Sequence, residues 1–289
     1  VVAETVMLGR EAFETLGEVE VIPDRAIEAH HLEGADALII RSKTKITPTL
    51  IDNTSVKFIG TATAGFEHLN IFLLETGGIG WCAAPGCNAD SVGDYITAAL
   101  LKLSIPLEGK TIGIIGVGQV GSRVARRAEA LGIKTLLNDP PRAEREGNAG
   151  FTELDTLLAE SDIVTLHVPL TSDGQWPTRK MANVDFFEKM KQGAVFINAA
   201  RGPVLDNEAL LQHREKFSKV ILDVWDPEPA LRSDMLATAD IGTPHIAGHS
   251  MEGKLNGTIH GFMKKPVTFL ELKRLGIPPR CCQPSRFQN

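Results

Sequence analysis

The chain has 289 residues, of which 43% are hydrophobic and 23% charged. At roughly 150 residues per domain this predicts two domains with sizeable cores, and the composition excludes wholesale disorder and fibrous architectures. A net charge of −6 and a pI near 5.8 argue against a nucleic-acid binder, and a single tyrosine argues against aromatic platforms for single strands.

No stretch approaches the roughly 18 uninterrupted apolar residues of a membrane span, so no membrane association is expected. Val1-Val2-Ala3-Glu4 lacks the basic-then-apolar layout of a secretory signal. The four cysteines make no disulfide framework. Cys82 and Cys87 are too widely spaced for a C-x-x-C site and Cys281–Cys282 are vicinal, so no metal is expected and the cytoplasm is the expected compartment.

In chain order, residues 10–16 and 48–51 read as helical pieces between short strands at 19–22, 37–40, 58–60 and 79–82. A long helix over 91–103 leads into strongly apolar strands at 111–116, 135–138, 163–168, 194–198 and 220–224. Apolar runs alternating with amphipathic stretches predict βα units around parallel sheets, and runs apolar on both faces suit a sheet covered by helices on each side. Residues 257–262 read as the end of a helix, and the basic, proline-punctuated tail beyond Lys264 reads as poorly packed.

The segment TIGIIGVGQVG (111–121) runs a strand into Gly116-x-Gly118-x-x-Gly121, with an amphipathic helix over 122–131 behind it. The first glycine permits the tight turn, the second lets the backbone approach a pyrophosphate, and the third allows close helix–strand packing. The helix N-terminus supplies unpaired N–H groups to the anion. Asp139 ends the next strand 18 residues past Gly121, where a carboxylate accepts bonds from ribose hydroxyls and repels a 2′-phosphate. NAD is therefore the expected cofactor, with Arg142 the one feature pointing to NADP.

Three later strand ends carry polar residues where ligands of open α/β sheets gather. Arg201 follows an apolar strand in NAARG, and its planar fork suits a carboxylate, with pairing to Asp206 as the bland alternative. Glu228 lies between two prolines in DVWDPEP, and His245 lies in TPHIAGH. A carboxylate on one imidazole nitrogen fixes the tautomer and raises the basicity of the other, which makes a proton acceptor. The histidines at 30, 31, 68, 167, 213 and 260 have no such context and read as core or surface.

The order GVGQVG, Asp139, NAARG, DVWxxEP and PHIAG resembles the D-isomer-specific 2-hydroxyacid dehydrogenase family across roughly residues 35–258. PGCNA (85–89) and DPPR (139–142) are similar to a branch distinct from the phosphoglycerate and glycerate dehydrogenases. The resemblance implies a doubly wound (Rossmann) NAD-binding domain over 96–248. It would be inserted into a smaller flavodoxin-like α/β substrate domain built from 1–95 and 249–289, with substrate taken in the cleft between them. It also implies NAD-dependent oxidation of a phosphorylated 2-hydroxy acid, 4-phospho-D-erythronate, in pyridoxal phosphate biosynthesis, by a cytoplasmic homodimer. His245 would take the hydroxyl proton, Glu228 would support the imidazolium, and Arg201 would hold the substrate carboxylate. Gln119, Val120, Asp139, Val168, Ala199, Asp223 and Gly248 match cofactor positions, and Ser42, Thr63 and His249 match substrate positions. The family's alternatives are dehydrogenases of 3-phosphoglycerate, glycerate or hydroxypyruvate, and a non-catalytic NAD-sensing corepressor. Departures from its pattern are His249 for a tyrosine, Val168 for a threonine, Lys180 for a histidine, a short connection over 103–109, and a C-terminal stretch unlike the family's dimerisation module.

Overall fold

The computed structural model describes residues 1–14 and 16–262. The tail beyond Lys264, read above as poorly packed, lies outside them. The chain divides into two compact units. One holds Val1–Asn88 and resumes at Ser250, and the other spans Ala89–His249.

The first unit runs β1 (Val2–Ala3), α1 (Gly9–Phe13), β2 (Val21–Ile22), β3 (Ala37–Ile40), α2 (Pro48–Ile51), β4 (Phe58–Thr61), α3 (Ile71–Thr76) and β5 (Gly80–Cys82). All five strands are parallel, in the order β2-β1-β3-β4-β5. The sequence gives no sign of β1, because two residues are too few to display a period. It is nevertheless an interior strand, with Val2 opposite both Val21 and Ile39, and both of its residues are buried. Proline at the first turn starts α2, and the Asn70 side chain caps α3 by accepting from Leu73 N at 3.1 Å. Leu32, Leu38, Ile40, Ile59 and Leu74 form the centre of the core, fully buried.

The second unit runs α4 (Ala89–Lys102), β6 (Thr111–Ile115), α5 (Gln119–Ala130), β7 (Lys134–Asn138), α6 (Pro140–Glu146), α7 (Leu154–Glu160), β8 (Ile163–Leu166), α8 (Val184–Lys189), β9 (Val195–Asn198), α9 (Asn207–His213), β10 (Lys219–Leu222), α10 (Ser233–Thr238) and β11 (Ile241–Gly242). The sequence places the boundary at 95/96, whereas α4 belongs to this unit from its first residue. The six strands are parallel in the order β7-β6-β8-β9-β10-β11, and every residue of β8 and β9 is buried. Helices therefore cover both faces. One face is filled by Phe187, Phe196, Leu157 and Leu210, the other by Ile96, Ile112, Ile114 and Val124. Phe187 meets Phe196 and Phe217 at 5.1 and 5.3 Å between ring centres, and burying each ring contributes about 2–3 kcal/mol.

Several strands are shorter than their apolar runs, and in two of them the reason is local. β6 stops at Ile115 because Gly116 turns left-handed at φ +86. β10 stops at Leu222, beyond which Asp223 serves a side-chain network. After β11 the chain returns to the first unit through α11 (Met251–Phe262), where Thr258 Oγ1 donates to Met7 O at 2.8 Å. In the second sheet the winding reverses at β6, with β7 on one side and β8 on the other. The carboxyl ends of β6 and β8 thus frame a crevice of the kind that takes ligands.

Candidate active site

The loop leaving β6 sits at that reversal. A Cβ on Gly116 would lie 2.7 Å from the His167 carbonyl carbon and oxygen, and one on Gly121 would lie 2.0 Å from Gly116 O. Both positions require glycine, because loop, helix and the end of β8 touch backbone to backbone. At Gly118 the same test meets nothing within 4 Å, and no side chain caps α5 at that residue. The first-turn amides of α5 and the open face at Gly118 make a cradle that fits the pyrophosphate of a dinucleotide.

Asp139 follows β7 directly and caps α6. Its Oδ2 accepts from Val117 N at 2.8 Å and its Oδ1 from Arg142 N at 3.1 Å, which ties this carboxylate to the glycine loop. Arg142 donates Nε and Nη2 to Glu146 at 3.0 and 2.6 Å and Nη1 to Val117 O. The hydrogen bond from Arg142 pulls the Glu146 carboxyl down to about 2, and the same bond raises the guanidinium. The cation that pointed to NADP is already matched by a carboxylate, so the pocket favours an unphosphorylated ribose. Of the other cofactor candidates, Gln119 Oε1 accepts from Arg123 at 2.7 Å, and Val120, Val168 and Ala199 are half-buried against the core. Gly248 is half-buried beside Ala247, whose amide is held by Asp223.

Arg201, Glu228 and His245 follow β9, β10 and β11 on the same carboxyl edge as the glycine loop. Buried Asn198 fixes the first of these loops: its Oδ1 accepts from Ala200 N, and its Nδ2 donates to Arg201 O, both at 3.1 Å. Asp206, the bland partner for Arg201, caps α9 and pairs with Lys180 at 3.2 Å. Gly202 lies hard against the next loop, where a Cβ would sit 1.7 Å from Trp225 O.

Glu228 uses both carboxylate oxygens. Oε1 accepts from Trp225 N at 2.7 Å, and Oε2 lies 2.9 Å from His245 Nδ1. A carboxylate only accepts, so Nδ1 carries the proton and Nε2 presents a lone pair. His245 is left-handed at φ +56. Asp223, 1% exposed, holds it there: its backbone oxygen accepts from His245 N at 2.7 Å. The Asp223 carboxylate accepts from Ile246 N at 2.8 Å, Ala247 N at 2.9 Å and Thr243 Oγ1 at 2.6 Å.

In the first unit, Ser42 is exposed in a turn closed by Thr44 N to Arg41 O at 3.3 Å, just past β3. Thr63 follows β4 and donates to Gly65 O at 2.7 Å. It therefore accepts from Thr61 Oγ1 at 2.7 Å, and Thr61 in turn takes the His68 Nε2 proton at 2.8 Å. Burial pulls the His68 imidazole down, which keeps it neutral behind Thr63. His249 ends the second unit, exposed, with its amide donating to Ile246 O at 2.8 Å.

The sequence thus locates the polar strand ends but misses the groups that hold them: His68, Thr243 and Tyr95. The Tyr95 phenol lies 2.6 Å from Thr243 Oγ1. Tyr95 had one available signal, as the chain's single tyrosine on an otherwise aliphatic helix face. Among the described residues no group of three or more His, Cys, Asp or Glu could hold a metal ion, and no helix is long and apolar enough to cross a membrane.

Comparison with known proteins places this geometry. Residues 93–247 match the model of the D-isomer specific 2-hydroxyacid dehydrogenase NAD binding domain. The erythronate-4-phosphate dehydrogenase of Klebsiella pneumoniae (strain 342) is 47% identical over 267 residues, covering 90% of this chain and 71% of that protein. The enzyme of the same name from Salmonella paratyphi B is 48% identical over the same shares. Among solved structures, the D-lactate dehydrogenase of Aquifex aeolicus, complexed with NAD and lactic acid, superposes with a TM-score of 0.69 at 28% identity. That match covers 89% of this chain and 92% of the other. The chain belongs to the D-isomer specific 2-hydroxyacid dehydrogenases and carries that family's NAD-binding domain.

Proposed function

We propose that this chain oxidises 4-phospho-D-erythronate to 2-oxo-3-hydroxy-4-phosphobutanoate with NAD, the step that serves pyridoxal phosphate synthesis. The observation that carries the reading is the 2.9 Å His245–Glu228 pair at the carboxyl edge of a dinucleotide-binding sheet, in a chain 47% identical to enzymes named for this substrate. NAD, when bound, accepts the hydride that leaves C2 of the substrate.

His245 Nε2 takes the proton of the 2-hydroxyl as the C2–O bond becomes a carbonyl. Glu228, already bonded to Nδ1–H, stabilises the imidazolium so formed. Arg201 holds the substrate carboxylate and polarises the forming carbonyl oxygen. The unit beginning at Ala89 serves as the cofactor domain and the other as the substrate domain. Ser42, Thr63 and His249 give the substrate its polar contacts, and the cofactor is held by Gly116, Gly118, Gln119, Val120, Gly121, Asp139, Val168, Ala199, Asp223 and Gly248. Family membership supports a cytoplasmic location and a homodimer, and light scattering on the purified protein tests the dimer.

The test of the chemistry is NADH formation over a panel of 4-phosphoerythronate, 3-phosphoglycerate, glycerate and lactate. The highest kcat/KM is expected for 4-phosphoerythronate, and a preference for an unphosphorylated acid would overturn the assignment. His245→Ala is expected to lose turnover while keeping NADH binding.

A further inference from the structure

The left-handed loop that presents His245 is tied into the helical layer by a directional chain of hydroxyls. Asp223 accepts the Thr243 Oγ1 proton at 2.6 Å, so that hydroxyl's single proton is spent. The Tyr95 oxygen, 2.6 Å from the same Oγ1, must then be the donor. The order is Tyr95 O–H to Thr243 Oγ1–H to the buried Asp223 carboxylate. Burial keeps the phenol above its ordinary range, with the Asp223 charge acting in the same direction and the Thr243 bond against it, so it remains a donor at neutral pH.

Thr243 is a junction. Its backbone oxygen accepts the Trp225 indole N–H at 2.8 Å, and Trp225 N holds Glu228 at 2.7 Å. The far end of the chain reaches the amides of Ile246 and Ala247, the two residues after His245. An αL backbone at a non-glycine residue is costly and persists only where its surroundings over-determine it. Removing the phenol leaves the Thr243 hydroxyl free to rotate away from Asp223. That weakens the carboxylate that pins the loop.

We propose that Tyr95 is a positioning residue for His245, acting through Thr243 and Asp223. The proposal rests on the reading of His245 as the proton acceptor. The experiment compares the wild-type chain of 289 residues with Tyr95→Phe, Thr243→Val and Thr243→Ser by three readouts. Turnover of 4-phosphoerythronate with NAD is expected to fall roughly ten- to a hundredfold in kcat for Tyr95→Phe and Thr243→Val, with KM for NAD within about twofold. Thr243→Ser, which keeps the hydroxyl, recovers most of the rate. Amide exchange over residues 243–249 is expected to quicken roughly tenfold in the first two variants only. The tyrosine doublet in the ultraviolet resonance Raman spectrum comes from Tyr95 alone. It is expected to report a donor phenol in the wild type and Thr243→Ser and to change in Thr243→Val.

Unchanged exchange in both Tyr95→Phe and Thr243→Val overturns the proposal, as does faster exchange with kcat at the wild-type level. A wild type without turnover on any 2-hydroxy acid instead overturns the reading of His245, and the positioning role falls with it.

Discussion

One Glu228 oxygen accepts the Trp225 amide while the other accepts His245 Nδ1–H at 2.9 Å, so the carboxylate that orients the imidazole is itself held by its own loop. Glu228→Gln keeps the size of the side chain and removes the charge that stabilises the imidazolium in the proposed reaction. The expected result is a fall in kcat of roughly a hundredfold with NADH affinity preserved, read by steady-state kinetics and by NADH fluorescence. A variant with undiminished kcat would remove Glu228 from the chemistry.

Cofactor choice follows from Arg142 being occupied by Glu146 and Val117. Asp139→Ala combined with Glu146→Ala removes the repulsive carboxylate and frees the guanidinium. The ratio of kcat/KM for NADP over NAD is expected to rise at least roughly tenfold. Asp139→Ala alone is expected to weaken NAD with a smaller gain for NADP, since Arg142 stays paired.

His167 predicts a stability change with pH. Burial lowers its imidazole to about 3, with Nε2 at 3.0 Å from Thr165 Oγ1. The folded value lies below the unfolded one, so between them the unfolded chain binds a proton that the folded chain refuses. Stability is therefore lost as pH falls below about 6.5, by about 2 kcal/mol between pH 7 and pH 5 from this residue alone. Urea midpoints across that range should fall with a steeper slope in the wild type than in His167→Gln. Equal slopes would mean that the folded chain takes up a proton at His167 as readily as the unfolded one.

The glycine loop separates packing from binding. Gly121→Ala drives a Cβ to 2.0 Å from Gly116 O, and an expected loss of about 3 kcal/mol would appear as a Tm lowered by several degrees. Gly118→Ala meets no neighbour and is expected to keep the wild-type Tm while weakening NADH roughly tenfold. The reverse pattern would refute the placement of the two positions.

What was legible in the sequence is what a local pattern can encode. The strand–glycine–helix passage, the apolar strands and the polar residues after them all lie on short contiguous segments. β1 and β11 are two residues each, below the length at which alternation shows, and they are strands only because neighbours pair with them. His68 and Tyr95 are not legible in the sequence because their partners are supplied by the fold: Thr61 is seven residues from His68, and Thr243 is 148 residues from Tyr95. Arg142 shows the same limit in reverse. Its neighbour Glu146 is one helical turn on and plainly visible, yet only side-chain geometry shows the pair closed on itself.

The contact at Gly202 has a consequence for how this enzyme can change. With 1.7 Å between a would-be Cβ and Trp225 O, the loop bearing Arg201 and the loop bearing Glu228 share one surface with no slack. A shift in either is transmitted to the other. Arg201 and the Glu228 carboxylate that bonds His245 therefore drift together, and a substitution here displaces both at once. Change is then accommodated more readily outside this block, at exposed positions such as the Ser42 turn or His249, while the block is inherited as a unit.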